Sequence, residues 1–193
     1  MKYLTILLSL LAGLLITTVG RGEESDTKKQ TEPSLVKVLS SVDFEKGKLQ
    51  GWSGPSTRLI ERPGKSDDNQ FALETTPEKG RPLLIIGRLP QKIELSPDAF
   101  LAFDYHVNQK FIMVIWVETS DKGWFEHTTL VKKDKWSTMV VRLGDMISRA
   151  ESNREGAESG TIREIQVRTQ GSMRATPKPV VLIDNVRLVE SRF

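Results

Sequence analysis

The chain has 193 residues, 28 basic against 25 acidic side chains, and no cysteine. Disulfides and a lipid-bearing cysteine anchor are therefore excluded, and the small net charge of +3 is interspersed along the sequence, which argues against a nucleic-acid partner. His106 and His127 are the only imidazoles, so a transition-metal site of the Cys/His kind is not expected.

Lys2 precedes a leucine-rich apolar run, Tyr3 to Val19, that closes on the small residues Thr18-Val19-Gly20. This is the form of a secretory signal peptide over residues 1–20, predicting a secreted or periplasmic protein with no membrane attachment once it is cleaved. The alternative is an uncleaved anchor, for which the run sits at the short edge of a bilayer span. Residues 21–36 are polar and charged and predict a flexible linker, because they have too little apolar area to offset chain ordering. Residues 37–193 then form one domain, large enough for a core without disulfides.

The first strand is expected over Val36–Glu45, with Val42 and Phe44 on one face. Gly51-Trp52 follows a short turn. A buried indole contributes up to about 4–6 kcal/mol by area, and Trp52 reads as core in preference to an exposed sugar platform. Short strands are predicted at Thr57–Glu61, Gln70–Thr75, Leu83–Arg88 and Ile93–Leu95. They are separated by Pro63-Gly64 through Asn69 and by Pro77 through Gly80, where proline fixes φ, glycine permits positive φ and Asp/Asn bond their own backbone.

Phe100 to Arg142 holds four runs rich in β-branched and aromatic residues with short polar breaks, which predicts an antiparallel meander. By parity Leu101, Phe103, Tyr105 and Val107 share one face of the first run, and Asp104 and His106 the other. The second run, Phe111–Glu118, is apolar on both faces, so it belongs in the middle of its sheet. Trp124–Val131 and Trp136–Leu143 complete the four. Residues 144–160 are a long polar connection with room for one helical turn, either a binding loop or a plain surface excursion. Thr161–Thr169 and Val180–Val189 are the last strands, with a proline-containing loop between them. No helix of ten or more residues is convincing.

About ten short strands with turns between them predict an all-β antiparallel sandwich or jelly roll. Asp43-Phe44-Glu45 with Gly51-Trp52 near the start, Lys135-Trp136 leading into Val140-Val141-Arg142-Leu143, and Val181-Leu182-Ile183-Asp184-Asn185-Val186-Arg187-Leu188 near the end resemble the galactose-binding-like β-sandwich superfamily. Carbohydrate-binding modules and complex I intermediate-associated proteins have that fold. The resemblance covers residues 38–190 and implies fold far more than ligand. It also implies a structural calcium near the paired first and last strands, with Asp43 or Glu45 and Asp184 as candidate ligands. Calcium takes six to eight oxygens, so these carboxylates need backbone carbonyls beside them. The alternative is that Asp184 and Asn185 bond backbone groups at a strand kink.

H-E-x-x-H, G-x-S-x-G and phosphate-binding glycine motifs are missing from the sequence. The remaining constellation is the outward set Asp104, His106, Trp116, Glu118, Gln166 and Arg168, with Trp124 as a second aromatic. A flat indole beside charged and amide hydrogen-bonders is what a sugar site uses. The expected function is an exported, non-catalytic carbohydrate-binding protein whose partner is a polysaccharide or glycan, with Trp116 the first choice of platform. Two alternatives remain. One is a structural or interaction protein of the cell envelope. The other is a glycoside hydrolase working through Asp104 and Glu118, with Glu126 a further candidate.

Overall fold

The computed structural model describes residues 36–191, apart from 67–68, 79–81, 90, 95, 121–122, 134, 150–159 and 171–177. The signal segment 1–20 and linker residues 21–35 lie outside the described residues. So do most of the 144–160 connection and the start of the proline-containing loop.

Thirteen strands are described: β1 Val36–Val42, β2 Trp52–Ser53, β3 Thr57–Ser66, β4 Asn69–Thr75, β5 Leu84–Gly87, β6 Ile93–Glu94, β7 Ala99–Val107, β8 Phe111–Thr119, β9 Gly123–Val131, β10 Ser137–Arg142, β11 Ile147–Ser148, β12 Thr161–Thr169 and β13 Val181–Ser191. They form two antiparallel sheets. One has the order β10-β7-β13-β4-β3, with β1 on β13; the other runs β11-β9-β8-β12-β5-β2, with β6 on β12. Leu143–Asp145 is a single 3₁₀ turn, the one helical turn for which the 144–160 segment had room.

The expected meander is corrected. β8 and β9 pair as a hairpin, Phe111 opposite Val131 through Thr119 opposite Gly123. β7 and β10 instead pair with each other in the opposite sheet, Tyr105 with Ser137 through Phe100 with Arg142. The chain therefore crosses between sheets at Val107–Phe111 and again at Val131–Ser137. Local alternation identifies strands but carries no information on which sheet each one joins, because that depends on long-range partners.

Parity within strands holds. Leu101, Phe103, Tyr105 and Val107 of β7 and Phe111, Met113, Ile115 and Val117 of β8 all face the core and are buried. Together with Ile165 and Val167 of β12 and Ile183 of β13 they fill the space between the sheets. Each such side chain contributes about 1.5–3 kcal/mol by removal from water. As its apolar character on both faces implied, β8 is interior, between β9 and β12.

Trp52 is core. It is 2% exposed and meets Phe44 edge-on, ring centroids 6.2 Å apart. It lies against Gly87, its partner in register. A Cβ at Gly87 would fall inside the van der Waals envelope of the Trp52 ring, so this position needs glycine for close approach.

Candidate functional site

On β8, odd-numbered side chains enter the core and even-numbered ones stand on the outer face of the β8-containing sheet. Register then sets the neighbours. Trp116 lies opposite Gln166 of β12 and Glu126 of β9; Glu118 lies opposite Glu164 and Trp124; Val114 lies opposite Arg168 and Thr128. Five of the seven expected ligand-binding residues, Trp116, Glu118, Trp124, Gln166 and Arg168, thus share one rigid surface built from three adjacent strands.

Trp116 is the centre of this surface, but its contacts differ from those of an open platform. Its indole N–H donates to Glu126 Oε2 at 2.8 Å. The Arg168 guanidinium carbon lies 3.9 Å from its ring centroid, and that of Arg149 4.1 Å. Arg168 arrives from the Val114 end of β8. Arg149 arrives from the Glu118 end, where its backbone N–H bonds the Trp124 carbonyl. The two cations therefore flank the ring, each stack worth about 0.5–2 kcal/mol. Arg149 also pairs with Glu126 Oε2 at 3.3 Å. The Arg168 side chain makes no ion pair or hydrogen bond among the described residues. Burial, then the neighbouring Arg149 charge, push the pKa of Arg168 below its ordinary value, opposed by Glu126.

Trp124 sits beside this post, its ring 5.6 Å from Trp116 and tilted by 54°. Trp124 is half-buried, and its own indole N–H has no acceptor among the described residues. Gln166 donates to Glu164 at 2.6 Å, and Arg88 reaches the same carboxylate at 3.7 Å. Toward the other end the face turns apolar, with Ile112 40% and Leu130 52% exposed, and at the sheet edge beside Glu126 stands Ile147, 53% exposed.

Asp104 and His106 do not belong to this surface. They stand on β7, on the outer face of the opposite sheet. Sheets in a sandwich pack about 10 Å apart and outer side chains extend further still, so Asp104 and Glu118 are separated by more than about 15 Å. A hydrolytic carboxylate pair needs roughly 5–9.5 Å. The pairings of Asp104 with Glu118 or Glu126 are therefore corrected: they flank no common bond. Asp104 instead accepts hydrogen bonds from Thr138 Oγ1 at 2.7 Å and Asn185 Nδ2 at 2.9 Å. His106 packs on Trp136, ring centroids 5.8 Å apart.

The same outer face shows what became of the carboxylates considered for calcium. Asp184 is fully buried and accepts from Arg62 Nη1 at 2.6 Å and from the Asn185 backbone N–H at 2.7 Å. Asn185, at φ 48°, forms the bulge that lets this happen. Arg62 lies 3.9 Å from the Trp136 ring centroid, and Trp136 donates to the Pro63 carbonyl. Glu45 accepts the backbone N–H groups of Gln70 and Phe71, while Asp43 accepts from Glu45 N–H and the Gln50 amide. Among the described residues no group of three or more carboxylate or imidazole side chains is placed to hold a metal. These residues do not fit a calcium ion; a guanidinium stands beside Asp184 instead. Burial raises the Asp184 pKa to about 6 despite its hydrogen bonds and Arg62.

Arg149, Arg62 and the post-like role of Trp116 were not legible in sequence. Arg149 falls within a polar connection where parity has no hold, and Arg62 directly precedes a proline-glycine pair that read as a turn.

No protein-family model matches the sequence, and no curated protein matches it. The fold has clear relatives among solved structures. An exo-β-agarase aligns with a TM-score of 0.57 at 13% identity, covering 81% of this chain and 25% of the agarase. The family 11 carbohydrate-binding module from Clostridium thermocellum, solved with a β-1,3-1,4-mixed-linked tetrasaccharide, aligns at 0.51 and 14% identity over 81% of this chain and 96% of the module. The chain has the jelly-roll β-sandwich fold. A second agarase aligns at 0.55 and 17% identity, with 79% of this chain matched to 26% of that one. The chain thus spans about a quarter of each agarase but nearly the whole of the binding module.

Proposed function

We propose that this protein is an exported, non-catalytic carbohydrate-binding protein, and that it binds glycan on the outer face of the β8-containing sheet. One observation carries the reading. Trp124 on β9 and Arg168 on β12, the two strands that flank β8, stand partly exposed, fixed against the Trp116 post, with N–H donors that have no acceptor among the described residues. An indole covers the apolar face of a pyranose while N–H, amide and carboxylate groups bond its hydroxyls. Gln166 and Glu118 supply the latter two. The similarity of fold to a binding module solved with a tetrasaccharide supports this class of ligand. The wide separation of Asp104 from Glu118 supports binding without hydrolysis.

The test is retention of the full chain in gels containing plant, algal or bacterial polysaccharides. Retention by at least one glycan is expected. Trp124→Ala should weaken it at least tenfold, and Trp116→Ala should abolish it by releasing both arginines; His106→Ala, on the opposite face, should leave it unchanged. Undiminished retention by Trp124→Ala and Trp116→Ala proteins that melt normally would refute the site. No retention by any glycan would favour the interaction-protein alternative, for which the exposed Ile112, Leu130 and Ile147 offer an apolar contact.

A further inference from the structure

Resting on that reading, we infer that the glycan is acidic: its sugars carry an oxyanion, a carboxylate or a sulfate ester, that Arg168 receives. The inference starts from how the cations on this face are partnered. Glu126 is occupied by the Trp116 N–H, by Thr128 Oγ1 at 3.1 Å and by Arg149. Glu164 is occupied by Gln166 and Arg88. Glu118 stands opposite Glu164 and Trp124, and among the described residues it makes no ion pair with Arg168. The Arg168 guanidinium is left with no hydrogen-bond acceptor among the described residues, between the like charge of Arg149 and the opposite charge of Glu126.

A solvated surface arginine would swing free of a like charge. Arg168 instead has its guanidinium held over the Trp116 ring. That stack fixes the cation in place without using its N–H groups, which leaves the planar fork free for two parallel hydrogen bonds to one oxyanion. A neutral sugar hydroxyl offers no match to such a fork and does nothing to offset the repulsion between the two cations. A carboxylate or sulfate does both.

The experiment measures binding of the full chain to four soluble polysaccharides: a polyuronate, its methyl-esterified neutral form, a sulfated galactan and the same galactan desulfated. At least tenfold tighter binding to one charged member of a pair than to its neutral partner is expected, and the pair that shows it distinguishes carboxylate from sulfate. Raising the salt concentration should weaken that binding. Arg168→Gln should remove the preference for the charged member. Arg168→Lys should recover only part of it, because lysine keeps the charge and loses the fork. Thermal melts of both variants separate loss of recognition from loss of fold. Equal binding to charged and neutral partners, unchanged in Arg168→Gln, would overturn the acidic-ligand inference and leave the carbohydrate-binding reading standing. Failure to bind any of the four, together with failure on the wider polysaccharide gels, would overturn both.

Discussion

Asp184 offers the sharpest test of the electrostatics, because two opposed effects act on one carboxyl group. Burial at 0% exposure disfavours its charge, whereas Arg62 at 2.6 Å favours it. Burial prevails, and the pKa rises from 3.8 to about 6, with Glu45 adding to the rise. A folded-state pKa above the unfolded one gives stability that is full below about pH 4 and is lost as pH rises through 6. At 1.36 kcal/mol per unit the loss is about 2–3 kcal/mol. Asp184→Asn keeps the shape and an acceptor for Arg62 but cannot ionise. Relative to the wild type, the variant should therefore gain about 2–3 kcal/mol between pH 4 and pH 7. Urea unfolding at several pH values, followed by tryptophan fluorescence, measures it; with a slope of about 2 kcal/mol/M the relative midpoints should move by about 1–1.5 M. A wild type that gains on the variant as pH rises would refute the reasoning, since it would mean that the Arg62 pair outweighs burial.

Two further predictions test packing and metal dependence. Gly87→Ala should destabilise by about 1–3 kcal/mol, because the added methyl drives Trp52 from its seat in the core; a thermal melt within 1 °C of wild type, about 0.3 kcal/mol or less for a domain of this size, would show that the ring can yield. Chelation with EDTA and addition of millimolar calcium should each leave the melting temperature unchanged, because Arg62 already stands beside Asp184; a calcium-dependent rise would show that these carboxylates reorganise around the ion.

Strand identity was largely legible because it is local. Leu101-Phe103-Tyr105-Val107 and Phe111-Met113-Ile115-Val117 alternate with outward residues, and that alternation needs no knowledge of partners. Sheet membership was not legible. Asp104 and Trp116 look alike in the sequence, each an outward residue on a strand of the same apparent meander. They part only because β7 pairs with β13 and β10 whereas β8 pairs with β9 and β12. Five of the candidate ligand-binding residues came together because β8, β9 and β12 are neighbours. The carboxylates considered for calcium are taken up by other partners instead, Asp184 by Arg62 from β3 and Glu45 by the backbone N–H groups of Gln70 and Phe71.

The two outer faces are built from the same kinds of residue, and what separates the Trp136 cluster from the Trp116 cluster is satisfaction. On the β7-containing sheet, Asp104 has Thr138 and Asn185, Asp184 has Arg62 and a backbone N–H, and Trp136 has a carbonyl for its N–H and a cation on its ring. Nothing in that cluster awaits a ligand, and removing any member leaves a neighbour unpaired, which is the behaviour of a structural node. On the β8-containing sheet, the Trp116–Glu126–Arg149 cluster is equally complete, yet it holds in place a guanidinium and an indole whose N–H groups have no acceptor among the described residues. Fixing a donor while denying it a partner costs repulsion and conformational freedom, and a fold gains nothing from that cost alone. The cost is recovered when something from outside supplies the acceptor, which is the reason the proposed binding surface is placed on the β8-containing sheet.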